Sequence, residues 1–178
     1  MLETFKYTDK EINALLKSMV IIIDSNEQVF DHISAWFDKK KIPYVIENLD
    51  FCDYSFYLPA NSELGIGRNL YFDKKIAIER KRNLEEISTN FGKGRTQFEN
   101  EFIRSTGKIF LLIENASYED IINKKYNTEL TPQSFVGSLH SFSDRYNLTV
   151  QFMKDNKYSA QYIYYTFYYY LRNCLLGR

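Results

Sequence analysis

The sequence has little that would cross-link the chain, thread it through a membrane or break it into pieces. Only two cysteines, Cys52 and Cys174, stand in its 178 residues. They lie far apart and form no Cys-x-x-Cys pair, which argues against a structural zinc site. With no signal peptide at the start, both read as free thiols in a reducing compartment. The apolar run Met19-Val20-Ile21-Ile22-Ile23 is far too short to span a membrane. Three prolines and seven glycines leave no Pro-, Gly- or Ser-rich linker, and no repeat is present. Gly65-Ile66-Gly67 is too short for a dinucleotide fingerprint. Gly92-Lys93-Gly94-Arg95 lacks the Gly-Lys-Ser/Thr that would follow a strand in a phosphate-binding loop. Net charge is absent too, with 23 basic and 23 acidic residues, which weighs mildly against a nucleic-acid binder.

What is present is aromatic. Fifteen Tyr and fourteen Phe in a chain of this length read as one folded domain with a substantial core. The balanced charge is also unevenly spread. Lys39-Lys40-Lys41, Lys74-Lys75, Arg80-Lys81-Arg82, and Lys93 with Arg95 form local basic clusters, so a neutral chain can still present a basic face.

Periodicity places the elements. Thr8-Asp9-Lys10-Glu11 is a capping box opening a helix with Ile12, Leu15, Leu16 and Met19 on one side. We expect residues 1–19 to be a helical extension and residues 20–178 a single domain. Val20–Ile23 reads as a strand buried on both faces. Asp24 ends it, as a helix cap, as a site residue, or as both, before a helix from about Gln28 to Lys40 with Val29, Ile33, Trp36 and Phe37 on its apolar face. Strands follow at 43–46, 54–58 and 76–81, with a long loop or hairpin tip over 59–75. One or two helical turns are expected over 84–88, then a flexible basic loop over 90–95. Thr96-Gln97-Phe98-Glu99 reads as a second capping box for a helix to about Ser105. A buried strand over 108–114, a helix from Ser117 to about Tyr126, and a helix with Pro132 at its first position to about Tyr146 come next. A last strand at 148–152 and a strongly aromatic helix over 158–175 complete the chain. This order specifies an α/β fold with a mixed central sheet flanked by helices.

The most informative stretch is Ile76-Ala77-Ile78-Glu79-Arg80-Lys81. A buried strand here runs straight into charge. Side chains alternate along a strand, so Glu79 and Lys81 share one face and Arg80 takes the other. Desolvating such a pair is costly unless it is used. With Asp53 at the head of the preceding strand, the layout is that of a metal-dependent phosphodiesterase: carboxylates for Mg²⁺ and a lysine for the attacking water or the developing charge. Asp38-Lys39-Lys40, Asp73-Lys74-Lys75 and Asp155-Asn156-Lys157 share the acid-x-Lys spacing, but follow no β run and read as solvated turns or helix ends.

Four segments then resemble one family, the XPF-type structure-specific endonucleases. Asp24-Ser25-Asn26-Glu27 is similar to its Asp-x-Arg-Glu, Cys52-Asp53-Tyr54 to its Gly-Asp-Tyr, Ile78-Glu79-Arg80-Lys81 to its Val-Glu-Arg-Lys, and Phe110–Glu114 to its next strand. Phe135-Val136-Gly137-Ser138-Leu139 resembles a later helix. The resemblance covers about residues 20–172. It implies a restriction-endonuclease-like nuclease core that cuts branched or flapped DNA with Mg²⁺ or Mn²⁺. It implies Asp24, Asp53 and Glu79 as metal ligands, Glu27 as a site acid and Lys81 as the catalytic lysine. Arg80, Arg82, Lys93 and Arg95 are the expected DNA contacts, with Arg80, which faces away by strand alternation, in a supporting, charge-pairing role. The chain departs from the family pattern at Cys52, where glycine is expected, and at Asn26, where arginine is. The family's acid beyond the lysine is matched by Glu85, and Gln97 is out of step. On this reading no helix-hairpin-helix DNA-binding module is expected after Arg178 and no helicase before Met1. DNA choice is therefore expected from this domain, from a homodimer through the C-terminal helices, or from a separate targeting protein, in an intracellular, bacterial or phage setting. The alternative is a non-catalytic DNA-binding or scaffold subunit on the same fold.

Overall fold

An apolar strand can be buried on both faces only between two layers of helices, and that is the architecture of the computed structural model. It describes residue 2 and residues 6–104 and 107–178. Seven strands, β1 (Val20–Asp24), β2 (Tyr44–Glu47), β3 (Tyr54–Leu58), β4 (Leu70–Tyr71), β5 (Ile76–Lys81), β6 (Lys108–Glu114) and β7 (Leu148–Met153), form one sheet. Its order is β2-β1-β3-β5-β6-β7, with β4 pairing β3. β1 pairs β2 in parallel and β3 antiparallel. β3 runs antiparallel to β5, while β5, β6 and β7 are mutually parallel. The C-terminal ends of β1, β5 and β6 and the start of β3 therefore meet at one sheet edge, where α/β folds place their sites.

Two apolar clusters sandwich the sheet. One joins Ile21, Ile23, Phe56, Ile78 and Leu112 to α1 (Asp9–Ser18), α2 (Asp31–Lys40) and α7 (Ser159–Leu175). The other joins Ala77, Leu111 and Ile113 to α3 (Leu84–Phe91), α4 (Arg95–Ile103), α5 (Tyr118–Ile122) and α6 (Pro132–Tyr146). Phe142 is its hub, with rings of Phe91, Phe98, Phe102 and Tyr146 within 6.0 Å. Among the described residues no helix is long and apolar enough to cross a membrane.

Local signals were read faithfully where the side chain itself makes the cap. Thr8 and Glu11 form their box, and Thr131 caps α6 with Pro132 in its first turn. Other expectations are corrected. α1 is part of the core, with Leu15 and Leu16 buried in the first cluster. α2 starts at Asp31, and its N-cap is Phe30. Val29 lies outside it, 62% exposed, at φ 57°. Asp24 is therefore no helix cap. The basic loop shrinks to a tight turn, because α3 runs to Phe91 and α4 begins at Arg95 without a side-chain cap. Thr96 sits inside that helix. The expected end at Ser105 lies outside the described residues.

Gly107 shows how closely the chain returns to the sheet. A Cβ there would lie 2.4 Å from the Lys75 carbonyl carbon and oxygen, and the next residue's N–H donates to that same oxygen at 2.9 Å. This contact starts the β5–β6 pairing. Gly107→Ala is expected to lower unfolding stability by about 2 kcal/mol or more in urea titrations. Gly67→Ala, whose Cβ would meet nothing within 4 Å, should stay within about 0.5 kcal/mol of the wild type.

Candidate active site

The site is assembled by backbone contacts before any side chain is considered. The Asp53 N–H donates to the Ile78 carbonyl at 3.0 Å, and the Asp53 carbonyl accepts from Asp24 N–H at 2.8 Å. The Asp53 carboxylate then turns onto β5, where Oδ2 accepts the Arg80 N–H at 2.6 Å. β1, β3 and β5 are thus stitched together at their charged ends.

This turn passes through Cys52, whose φ of 60° lies in the left-handed region. That region suits glycine and strains a residue with a Cβ. Cys52, standing where the family has glycine, thus takes a conformation that glycine adopts without strain, and its thiol is buried in the second cluster. Burial, with Glu79 and Asp53 nearby, pushes the thiol well above its ordinary value, so it is unreactive.

Alternation along β5 works as expected. On one face the Lys81 ammonium contacts Glu79 Oε1 at 2.5 Å and lies 5.1 Å above the Phe98 ring of α4. Both side chains are nearly fully buried. Burial opposes the charge on Lys81, but Glu79 and Asp53 more than offset it, so its value rises. On the other face Arg80 reaches Glu27 in a short ion pair and Glu114 at 2.9 Å. Arg80 is 3% exposed, and this corrects its expected role as a DNA contact. Both ends of its guanidinium are committed to carboxylates inside the protein. Arg95 is also drawn inward, donating to Ser138 Oγ at 3.0 Å and lying over the Phe142 ring. Arg82 remains at the surface with Glu86 beside it. Lys93 is exposed on a cavity of about 600 Å³ shared with Ser88 and Thr128.

Asp24 is placed differently from the other acids. Its Oδ2 accepts from Asn26 N–H at 2.9 Å and its Oδ1 from Leu49 N–H at 2.7 Å. Both oxygens hold loops in place. Asp53, Glu27, Arg80 and Lys81 instead line a polar cleft of about 190 Å³, together with Asn26, Gln28, Arg82 and Glu86. Glu86, not Glu85, faces this cleft.

The acids in and around the cleft strain against one another. Burial, then Glu79 and Glu27, push Asp53 well above the carboxylate range. Burial raises Glu27 despite the opposing pull of Arg80. Glu101, from α4, lies near Glu79, and burial with that neighbour's charge pushes it up to about 7. A hard divalent cation would relieve this repulsion. Among the described residues no three His, Cys, Asp or Glu side chains form a ready-made cage. Two carboxylates with the remaining positions left to water and phosphate are nevertheless the ordinary Mg²⁺ arrangement. The Lys81 ammonium already stands against Glu79 as a cation would. The donor set therefore fits a hard divalent ion at Asp53 and Glu79.

Glu101 and Glu114 escaped the sequence reading. Glu114 closes a buried strand with a charge, as Glu79 nearly does, and that was its signal. Glu101 follows Phe98 by one helical turn on the face that meets β5, a placement visible only once α4 is docked.

The sequence profile of the ERCC4 domain matches residues 23–166. Among solved structures, XPF from Aeropyrum pernix in complex with DNA superposes with a TM-score of 0.60 at 13% identity, over 83% of this chain and 62% of that one. XPF from Aeropyrum pernix in a second structure gives 0.60 and 13%, over 89% and 66%. This chain thus spans about 62% of the length of the first. No curated protein matches by sequence.

Two predictions follow from the geometry. Cys52→Gly is expected to hold stability within about 1 kcal/mol, since relieved backbone strain offsets the lost thiol. Cys52→Val, β-branched at positive φ, should cost about 2 kcal/mol or more by urea unfolding. A carboxyl whose folded value is raised binds its proton more tightly in the native state. Its stabilisation is present at low pH and is lost as pH climbs through the folded value. Measured against Glu101→Gln, metal-free wild type should therefore lose about 2 kcal/mol of relative stability between about pH 5 and pH 8. Calorimetric melts across that range check it.

Proposed function

The chain belongs to the ERCC4 domain family, and on that premise we propose that it is a metal-dependent DNA endonuclease that hydrolyses phosphodiester bonds, selective for branched or flapped DNA. One observation carries the reading. Asp53, Glu79 and Lys81 converge at one sheet edge, with Lys81 pinned between a carboxylate and an aromatic ring.

Asp53 and Glu79 would hold Mg²⁺ or Mn²⁺, with Glu27 beside Asp53 adding negative charge. An ion bound there supplies a Lewis acid and lowers the pKa of coordinated water. Lys81 is the group of this chain suited to the phosphate. Its ammonium stays protonated and is already desolvated, so it can hydrogen-bond a phosphate oxygen as negative charge grows there, with little reorganisation. Phe98 and Glu79 limit its swing. Asp24 acts upstream of the chemistry. By holding Asn26 and Leu49 it shapes the loop that carries Glu27.

DNA would approach across Arg82 and Lys93, the two expected contacts that remain at the surface. The same reading extends to assembly. α7 and its N-cap leave Tyr158, Tyr165 and Tyr169 exposed beside Phe110 and Met153, a face suited to a second copy of this chain, since tyrosine favours interfaces. Junction choice would then come from that dimer or from a separate targeting protein, inside the cell.

Labelled flap, fork, four-way-junction and linear duplex DNA, incubated with Mg²⁺ or Mn²⁺, test the reading. We expect the branched substrates to be cut and cleavage to fall at least about 100-fold in Lys81→Ala and in Glu79→Ala, with DNA binding retained. Equal cleavage by wild type and variants would reject the assignment. Metal-independent binding without cleavage would instead favour the scaffold reading.

A further inference from the structure

Glu27 borders the proposed metal site, yet Arg80 reaches its carboxylate. A one-to-one ion pair would cancel the charge of Glu27 and remove its contribution to holding a divalent cation. The structure contains a feature that prevents this. The far side of the Arg80 guanidinium meets a second carboxylate, Glu114, at 2.9 Å. Glu114 ends β6, has no exposed side-chain surface, and is one residue beyond the partner of Lys81 in the β5–β6 register. We propose that Glu114 is a positioning residue for the metal site: it gives Arg80 a second carboxylate partner, so the Glu27–Arg80–Glu114 cluster keeps a net charge of one negative unit next to Asp53. This inference rests on the nuclease reading and extends it to a residue outside the cleft.

This charge count takes Glu27 and Glu114 as ionised; burial raises Glu27, and Arg80 opposes that. Glu114 stays ionised, because Arg80 outweighs the burial that would otherwise raise it. Burial and the nearby Glu27 keep the Tyr54 hydroxyl protonated, so it adds no charge. The Arg80 N–H is the donor that orients Asp53. A guanidinium pulled from both sides therefore also fixes the backbone on which Asp53 rests. His32 Nε2 lies 3.1 Å from Glu114 Oε1, and all variants are compared at one pH so that its contribution is common to them.

Charge and shape make opposite predictions. Glu114→Gln keeps the shape and removes the charge, taking the cluster from minus one to zero. Glu114→Asp keeps the charge and shortens the arm. If Glu114 acts through its charge, the Gln variant should bind Mn²⁺ at least about tenfold more weakly than wild type, and the Asp variant within about threefold. Calorimetric titration of the DNA-free protein with Mn²⁺ reads this without any catalysis, and thermal melts confirm that each variant is folded. Cleavage should follow the same order, with the Mg²⁺ requirement of Glu114→Gln rising by a similar factor and the DNA concentration at half-maximal rate unchanged. Glu119→Gln, an exposed acid on α5, serves as the control.

Equal Mn²⁺ affinity in wild type and Glu114→Gln would overturn the inference, even if the wild type cuts DNA. So would a larger loss in Glu114→Asp than in Glu114→Gln, which marks a purely structural role. A wild type that neither binds Mn²⁺ nor cleaves would overturn the nuclease reading together with this inference.

Discussion

The central strand β5 ends in three consecutive charged side chains, and all three are buried. A strand can accommodate this only by sending neighbours to opposite faces and supplying each with a partner from elsewhere in the chain. Isolated, each ion would cost several kcal/mol to bury, and breaking such a pair typically costs about 3–5 kcal/mol. The surrounding architecture follows from that demand. β3 is led by Asp53, which docks on the β5 backbone. The loop after β1 delivers Glu27, β6 ends in Glu114, and α4 brings Phe98 and Glu101. The sheet edge is organised around meeting the charge of residues 79–81.

The two faces of β5 then do different work. The face with Glu79 and Lys81 opens toward carboxylates that repel one another and hold their protons too tightly for an ordinary surface acid. Such a cluster is unfavourable without a counter-charge. The face with Arg80 is braced by Glu27 and Glu114, and only a small part of Arg80 reaches the cleft. The Glu-Arg-Lys sequence therefore combines a chemical pair with an internal brace, and the alternation of a single strand separates them.

Much of this was legible from local sequence. The capping boxes at Thr8 and Thr131, the doubly buried strands, and the opposite facing of Arg80 and Lys81 all depend on interactions within a few residues, or on the fixed two-residue period of a strand. The errors share one cause. Asp24 looked like a helix cap because a helix follows, but its oxygens go to Asn26 and to Leu49, the second of them 25 positions away. Thr96 had the spacing of a capping box, yet packing of Arg95 on Ser138 and Phe142 starts α4 earlier. Arg80 and Arg95 were counted as DNA contacts by their charge, and tertiary contacts turned both inward. Cys52 departs from the expected glycine, and only the backbone shows that it sits in the left-handed region.

By itself the sequence determined the α/β class, the mixed sheet, and the fact that Asp53, Glu79 and Lys81 stand at strand ends, because these follow from periodicity and from the cost of leaving apolar strands exposed. Tertiary structure alone decided which charges meet. Glu27, Arg80 and Glu114 come from three separate segments, and Glu101 from a fourth. Their proximity depends on sheet order and helix docking, set by the summed burial of two apolar clusters. No local pattern in the chain encodes a distance between them.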